Sequence, residues 1–179
     1  MRIFLLMLLT AFTLAGCTWY YLFSAAANEF ELNETEQSIF EREHCMAEAI
    51  YFEAGNQPLV GKIAVANVIL NRVYSIDYPD SVCDVVHQGP VRESWKKNGV
   101  FYPIKNKCQF SYYCDGRSDI PKFGPTWEDC LMVAEWALQD EWFIDQVEGA
   151  THYHASYVHP NWADYMQRVV QIQDHVFYK

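Results

Sequence analysis

Positive charge is scarce in this chain. Its 179 residues carry 13 Lys and Arg against 23 Asp and Glu, a formal net charge of −10. A nucleic-acid backbone is gripped by clustered cations, so the balance argues against that partner and no nucleic acid is expected. It leaves neutral or zwitterionic ligands such as glycans open. Two CxxC knuckles, the spacing of a zinc ribbon, are missing. So is an HEXXH helix motif. Internal repeats and low-complexity tracts are absent too, which removes solenoids from consideration. What the chain does have is apolar surface: 51% hydrophobic and 16% aromatic residues are enough for one domain with a substantial core.

Charge is also missing from Ile3 to Ala27. Arg2 precedes an apolar run from Ile3 to Leu14, interrupted by Thr10 and Thr13, and Leu14-Ala15-Gly16-Cys17 follows directly. A short basic start and an apolar stretch of this length describe a secretory signal. The tetrapeptide resembles a bacterial lipobox, which implies cleavage before Cys17 and lipidation of Cys17. The alternative is an uncleaved N-terminal transmembrane anchor, since the uncharged stretch is long enough to span a bilayer. Both readings export the remaining chain and hold it at the membrane, on the periplasmic side. Residues 1–16 are thus expected as signal peptide and 17–43 as an acidic, polar tether.

Export permits disulfides. With Cys17 assigned to lipid, Cys45, Cys83, Cys108, Cys114 and Cys130 remain. Five is odd, so at least one thiol stays free or pairs between molecules. Cys108 and Cys114 bracket a short segment and are the candidate local pair.

The stretch from Cys45 to Tyr74 organises the rest. Met46, Ala49, Ile50 and Glu53 follow the i, i+3, i+4, i+7 rule, so Glu53 continues an apolar helical stripe. Gly55 and Asn56 can take the left-handed conformation that stops a helix, and Pro58 can open the next. Desolvation and the negative end of the helix dipole both raise the pKa of a carboxyl placed there. A carboxyl protonated near neutrality is what general-acid catalysis needs. The second helix, 58–74, is apolar almost all round and reads as buried, with Asn67 and Asn71 bonding neighbouring loops. Beyond it come a short helix capped by Ser81, then a loop from Gly89 to Lys107 with Trp95, Phe101 and Tyr102 as anchors. CQFSYY at 108–113 has strand character, and a helix capped by Thr126 runs to Leu138. ATHYHA, RVVQI and HVFY read as short strands near the end. Helices first and strands later suggest an α+β fold.

The run AIYFEAGNQPLVGKIAVANVILNRVY, with YPDSVCDVVHQ, CQFSYYCDG, ATHYHASYVHPNWADYMQ and HVFY in order after it, resembles the SleB-type cell wall hydrolases. The resemblance runs from Cys45 to Tyr178. It implies a single lysozyme-like, lytic-transglycosylase-like catalytic domain over residues 44–179, acting on peptidoglycan glycan strands without a cofactor. It also implies Glu53 as the catalytic acid. Gln109, Phe110 and Ser111 are expected along one wall of a groove and Tyr153 on the other. Two departures stand out: Gln57 replaces the second acid of the family's EARGE, and Gln173 occupies the Gly place of IGxHxF.

Glycoside cleavage usually employs two carboxylates, and the matched segments supply one. A lytic transglycosylase manages with one because the muramoyl C6 hydroxyl is the nucleophile. A hydrolytic muramidase or glucosaminidase would need a second acid from a loop: Asp77, Asp80, Asp115 or Asp119. Two further alternatives are a metal-dependent amidase using His152, His154 and His159, with HxH on one strand face, and a glycan-binding lipoprotein without activity. The transglycosylase reading requires no metal.

Overall fold

The computed structural model describes residues 36–139 and 143–179. The chain divides into two compact units, Met1–Phe40 and Glu41–Lys179. Residues 36–40 of the first unit are helical. The second unit holds the hydrophobic core. The signal, lipobox and most of the tether lie outside the described residues. Among the described residues no helix is long and apolar enough to cross a membrane.

Helix α1 (residues 36–54) buries Met46, Ala47, Ala49, Ile50 and Ala54, the stripe its periodicity predicts. Its last α-helical bond runs from Gly55 N to Tyr51 O, after which Gln57 N closes a tighter turn on Ala54 O. Neither Gly55 nor Asn56 takes the left-handed conformation expected of them. Gly55 is needed for space instead: a Cβ there would lie 2.3 Å from Tyr51 O. Pro58 then sits at the N-cap of α2 (Leu59–Val73), where the missing N–H costs nothing.

Helix α2 is the spine. One side joins Val65, Ala66 and Ile69 to α1, α3 (Val82–Val86) and α4 (Pro125–Gln139) in the main core. The other side puts Ala64 and Val68 against Val147, Ala150 and Phe177. Most of its polar groups are satisfied, the buried Arg72 Nη1 being an exception. Asn67 bonds the backbone of Ile144 and Gln146, Asn71 bonds Ala150 O, and buried Lys62 pairs with Asp129 at 2.8 Å. Leu59 is the exception to the buried helix, being exposed at its first turn. Helix α3 is capped by the Ser81 hydroxyl, which accepts from Asp84 N. Helix α4 opens on Pro125, so Thr126 lies within its first turn and is not the cap.

A two-stranded ribbon, β1 (Val91–Glu93) and β2 (Phe101–Pro103), replaces the expected loop, and its aromatics are exposed and anchor nothing. The chain ends in an antiparallel three-stranded sheet of β3 (His152–Ala155), β4 (Arg168–Ile172) and β5 (His175–Tyr178), in the order β3-β5-β4. Between β2 and α4 the segment expected as a strand is a 3-10 turn, Ser111–Cys114. A strand would carry Cys108 and Cys114 roughly 20 Å apart. Their Cα atoms are 6.0 Å apart, joined by a disulfide.

A second disulfide links Cys45 on α1 to Cys83 on α3, a pairing the spacing did not single out. Among the described residues Cys130 is the free thiol, and it is buried. A bridge closing 38 residues restricts the unfolded chain and should contribute about 3–4 kcal/mol. Replacing Cys45 and Cys83 together by Ser is expected to lower the unfolding free energy by about that amount in denaturant titrations. Non-reducing peptide mapping should recover both linked pairs; a Cys83–Cys130 fragment would contradict the pairing.

Candidate active site

Glu53 lies in the last turn of α1, three residues after buried Ile50 and one before buried Ala54, so the helix that packs the core also drives this carboxyl inward. It lines a cleft of about 200 Å³ together with Arg72 from α2, Gln109 and Ser111 beside the 3-10 turn, His152 and Tyr153 from β3, and Trp162. Separate parts of the chain therefore meet around one acid. Among the described residues Glu53 is the one carboxylate lining this cleft; Asp77, Asp80, Asp115 and Asp119 do not reach it.

Burial pushes the Glu53 carboxyl above its ordinary range. Three groups act in the opposite sense. The Tyr153 hydroxyl donates to Glu53 Oε2 at 3.1 Å, the Ser111 backbone N–H donates to the same carboxylate, and the Arg72 cation lies nearby. Desolvation outweighs them. Tyr153 itself is pushed well above the usual phenol range, by burial first and by Glu53 next, so it remains a neutral donor.

Arg72 was not singled out in the sequence, where it reads as an ordinary cation at a helix end. It is 4% exposed. Its Nε donates to Thr151 O at 2.8 Å, and the guanidinium lies 5.2 Å from the ring centres of both Tyr78 and Phe110. This fastens α2 to the start of β3 and brings a fixed positive charge to the floor of the cleft. Phe110, expected on the groove wall, is 1% exposed and belongs to the core, where it supports Arg72 instead. Trp162 also escaped notice; from the 3-10 turn Asn161–Tyr165 it stands between His152 and His154, with ring centres 5.5 and 5.6 Å away.

The three histidines of the amidase alternative do not form one ligand set: His154 and His159 are neighbours, with ring centres 6.1 Å apart, but each is engaged by a different partner. His152 bonds Thr151 Oγ1, His154 bonds Tyr178 Oη, and His159 bonds Asp164. No group of three His, Cys, Asp or Glu that could hold a metal ion occurs among the described residues. Burial and the Arg72 charge lower the pKa of His152, which favours a neutral imidazole in the cleft.

The two departures from the resemblance are linked through Asp174. Gln57, 7% exposed, donates to Asp174 Oδ2 at 3.0 Å and accepts from Asp174 N at 3.4 Å. Asp174 follows Gln173, whose φ of +51° is the left-handed conformation suited to the glycine it replaces. A carboxylate at position 57 would face the Asp174 carboxylate. The amide avoids that repulsion and ties the α1–α2 turn, and with it Glu53, to the β4–β5 turn.

A profile of the Cell Wall Hydrolase family matches residues 56–178, beginning three positions after Glu53. Among curated proteins, the spore cortex-lytic enzyme of Halalkalibacterium halodurans is 51% identical over 43 residues, 24% of this chain and 13% of that protein. That of Bacillus cereus is 46% identical over 43 residues, 17% of its length. The aligned stretch is thus a small part of these relatives. The fold is that of solved structures. The catalytic domain of the germination-specific lytic transglycosylase SleB from Bacillus anthracis superposes with a TM-score of 0.55 at 25% identity, over 77% of this chain and 93% of that one. The Bacillus cereus SleB catalytic domain gives 0.54 at 24% identity, over 77% and 89%. The SleB-like arrangement of helices and sheet, with the profile spanning most of the described chain, makes this protein a member of the cell wall hydrolase family.

Proposed function

We propose that the domain cleaves peptidoglycan glycan strands by a lytic transglycosylase route, with Glu53 as the sole acid and base. The observation that carries this is a lone, partly buried carboxyl with a raised pKa at the floor of a cleft. Kept protonated, Glu53 gives its proton to the glycosidic oxygen as the C1–O bond breaks. The carboxylate so formed is received by donors already in place, the Tyr153 hydroxyl and the Ser111 N–H, with the Arg72 charge close by. It then takes the proton of the muramoyl C6 hydroxyl as that oxygen closes on C1. Bond breaking and forming balance without water, and the strand ends in a 1,6-anhydro ring. Gln109 and Ser111 on one wall and Tyr153 and Trp162 on the other line the space for the two sugars.

Export follows from the same reading, because the substrate lies outside the cytoplasm, and two disulfides suit an oxidising compartment. We place the lipid anchor on Cys17. Mass spectrometry of the mature protein should find an acylated Cys17 at its N-terminus, and Cys17→Ser should accumulate as an uncut, acyl-free precursor. Unchanged processing of that variant would favour the uncleaved anchor.

Glu53→Gln keeps shape and hydrogen bonding but has no proton to give. Turnover on purified sacculi should fall by at least ~10²–10⁴-fold, with thermal stability retained. Wild-type activity should decline as pH rises through the raised pKa of Glu53, since the acid form is titrated away. Mass spectrometry of released muropeptides should show 1,6-anhydromuramic ends; reducing ends that take up oxygen-18 from labelled water would make the enzyme a hydrolase and require a second carboxylate.

A further inference from the structure

The β1–β2 ribbon is built against the grain of the protein. Its strands pair Val91 with Pro103, Arg92 with Tyr102 and Glu93 with Phe101. Val91, Arg92, Glu93, Phe101 and Tyr102 are all exposed, so both faces of the ribbon lie in water. A two-stranded ribbon of this size is marginal by itself and ordinarily buries one face. This one is held at its base instead: Ile104 N bonds Pro90 O, Asn106 N bonds Cys114 O, Gln109 N bonds Gln88 O, and the Cys108–Cys114 bridge lies just beyond. At the tip Trp95 is 89% exposed, with the Lys96 ammonium 4.8 Å from its ring centre.

Charge sets the ribbon apart as well. Residues 90–107 carry Arg92, Lys96, Lys97, Lys105 and Lys107, five of the chain's 13 cations, against one carboxylate. That carboxylate, Glu93, is engaged locally and accepts from Gly99 N at 2.7 Å to hold the tip turn. A protein of net charge −10 thus presents an arm of cations and aromatic rings. The arm leads directly into the cleft wall, because Gln109 and Ser111 follow β2 after a few residues.

We propose that this ribbon is a second binding surface for the polymer whose cleavage is proposed above: Lys96, Lys97 and Arg92 meet the free carboxylates of peptidoglycan stem peptides, while Trp95 and Tyr102 lie on apolar faces of the sugars. The inference rests on peptidoglycan being the substrate. Amino-sugar strands bearing acidic peptides combine the two chemistries the ribbon offers, anion pairing and ring contact, on one polymer. A polymer must also extend beyond a cleft of about 200 Å³, and the arm is joined to the cleft wall through the chain that runs from β2 to Gln109 and Ser111.

The test is co-sedimentation of the full chain, in detergent, with two preparations of sacculi: untreated, and with stem carboxylates converted chemically to amides. Wild type should bind untreated sacculi on the order of tenfold tighter than amidated ones, with the difference shrinking as salt is added. Lys96→Glu/Lys97→Glu should abolish the preference, and Trp95→Ala should weaken binding to both preparations. Because these side chains touch no core residue, thermal melting should be unchanged. Equal binding of wild type and the Lys96→Glu/Lys97→Glu protein to both preparations would overturn the assignment. If wild type instead bound phosphatidylglycerol-doped detergent micelles more tightly than neutral ones and the Lys96→Glu/Lys97→Glu protein lost that difference, with binding to sacculi unchanged, the surface would belong to a bilayer. Muropeptide release by wild type is read in the same tubes, so failure of the proposed reaction and failure of the ribbon's role are told apart.

Discussion

A carboxyl group withdrawn from water at the break between two helices sets the terms for the rest of this structure. Leaving Glu53 ionised there is unfavourable by burial, yet three donors or charges are turned toward it: the Tyr153 hydroxyl, the Ser111 N–H and Arg72. The first comes from the sheet, the second from the disulfide-closed turn and the third from the central helix. Each element's position is therefore tied to one acid, whose two protonation states are both provided for. Burial favours the protonated form, and the surrounding donors receive the anion once the proton has left.

The elements around that acid are held mostly by contacts outside the cleft, with Arg72, which lines it, as the exception. Gly55 lets the chain turn against Tyr51 O without a side chain in the way. Gln57 holds the turn after Glu53 to Asp174, and Cys45–Cys83 holds the middle of α1 to α3. Arg72 spans from α2 to Thr151 at the edge of β3, two residues before Tyr153. The distance between Glu53 and its phenol partner is thus governed at both ends, which suits a proton transfer that tolerates little slack.

Much of this was legible in the sequence where local pattern and tertiary packing agree. The stripe of Met46, Ala49 and Ile50 placed Glu53 on an inward face, and the strand-like composition of ATHYHA, RVVQI and HVFY marked three strands that the sheet contains. Pattern failed where a cross-link or a long-range contact decides. CQFSYY has strand composition, but the Cys108–Cys114 bridge demands a turn. The β1–β2 strands are three residues each and exposed on both faces, so they show no alternation to read. Phe110 looked like a groove residue because its neighbours are; which of three consecutive side chains points inward is set by the turn, not by composition. The importance of Arg72 depends on Tyr78, Phe110 and Thr151 converging on it, and no spacing in the chain announces that.

The acid role proposed for Glu53 depends on burial keeping it protonated above the range of an ordinary glutamate. A carbon-13 NMR titration of its side-chain carboxyl, assigned by comparison with Glu53→Gln, measures this without reference to any substrate. If burial dominates, the midpoint lies above the ordinary glutamate value of about 4.3. A midpoint at or below that value would mean that Tyr153, Ser111 and Arg72 outweigh desolvation, leaving Glu53 an anion with no proton to give.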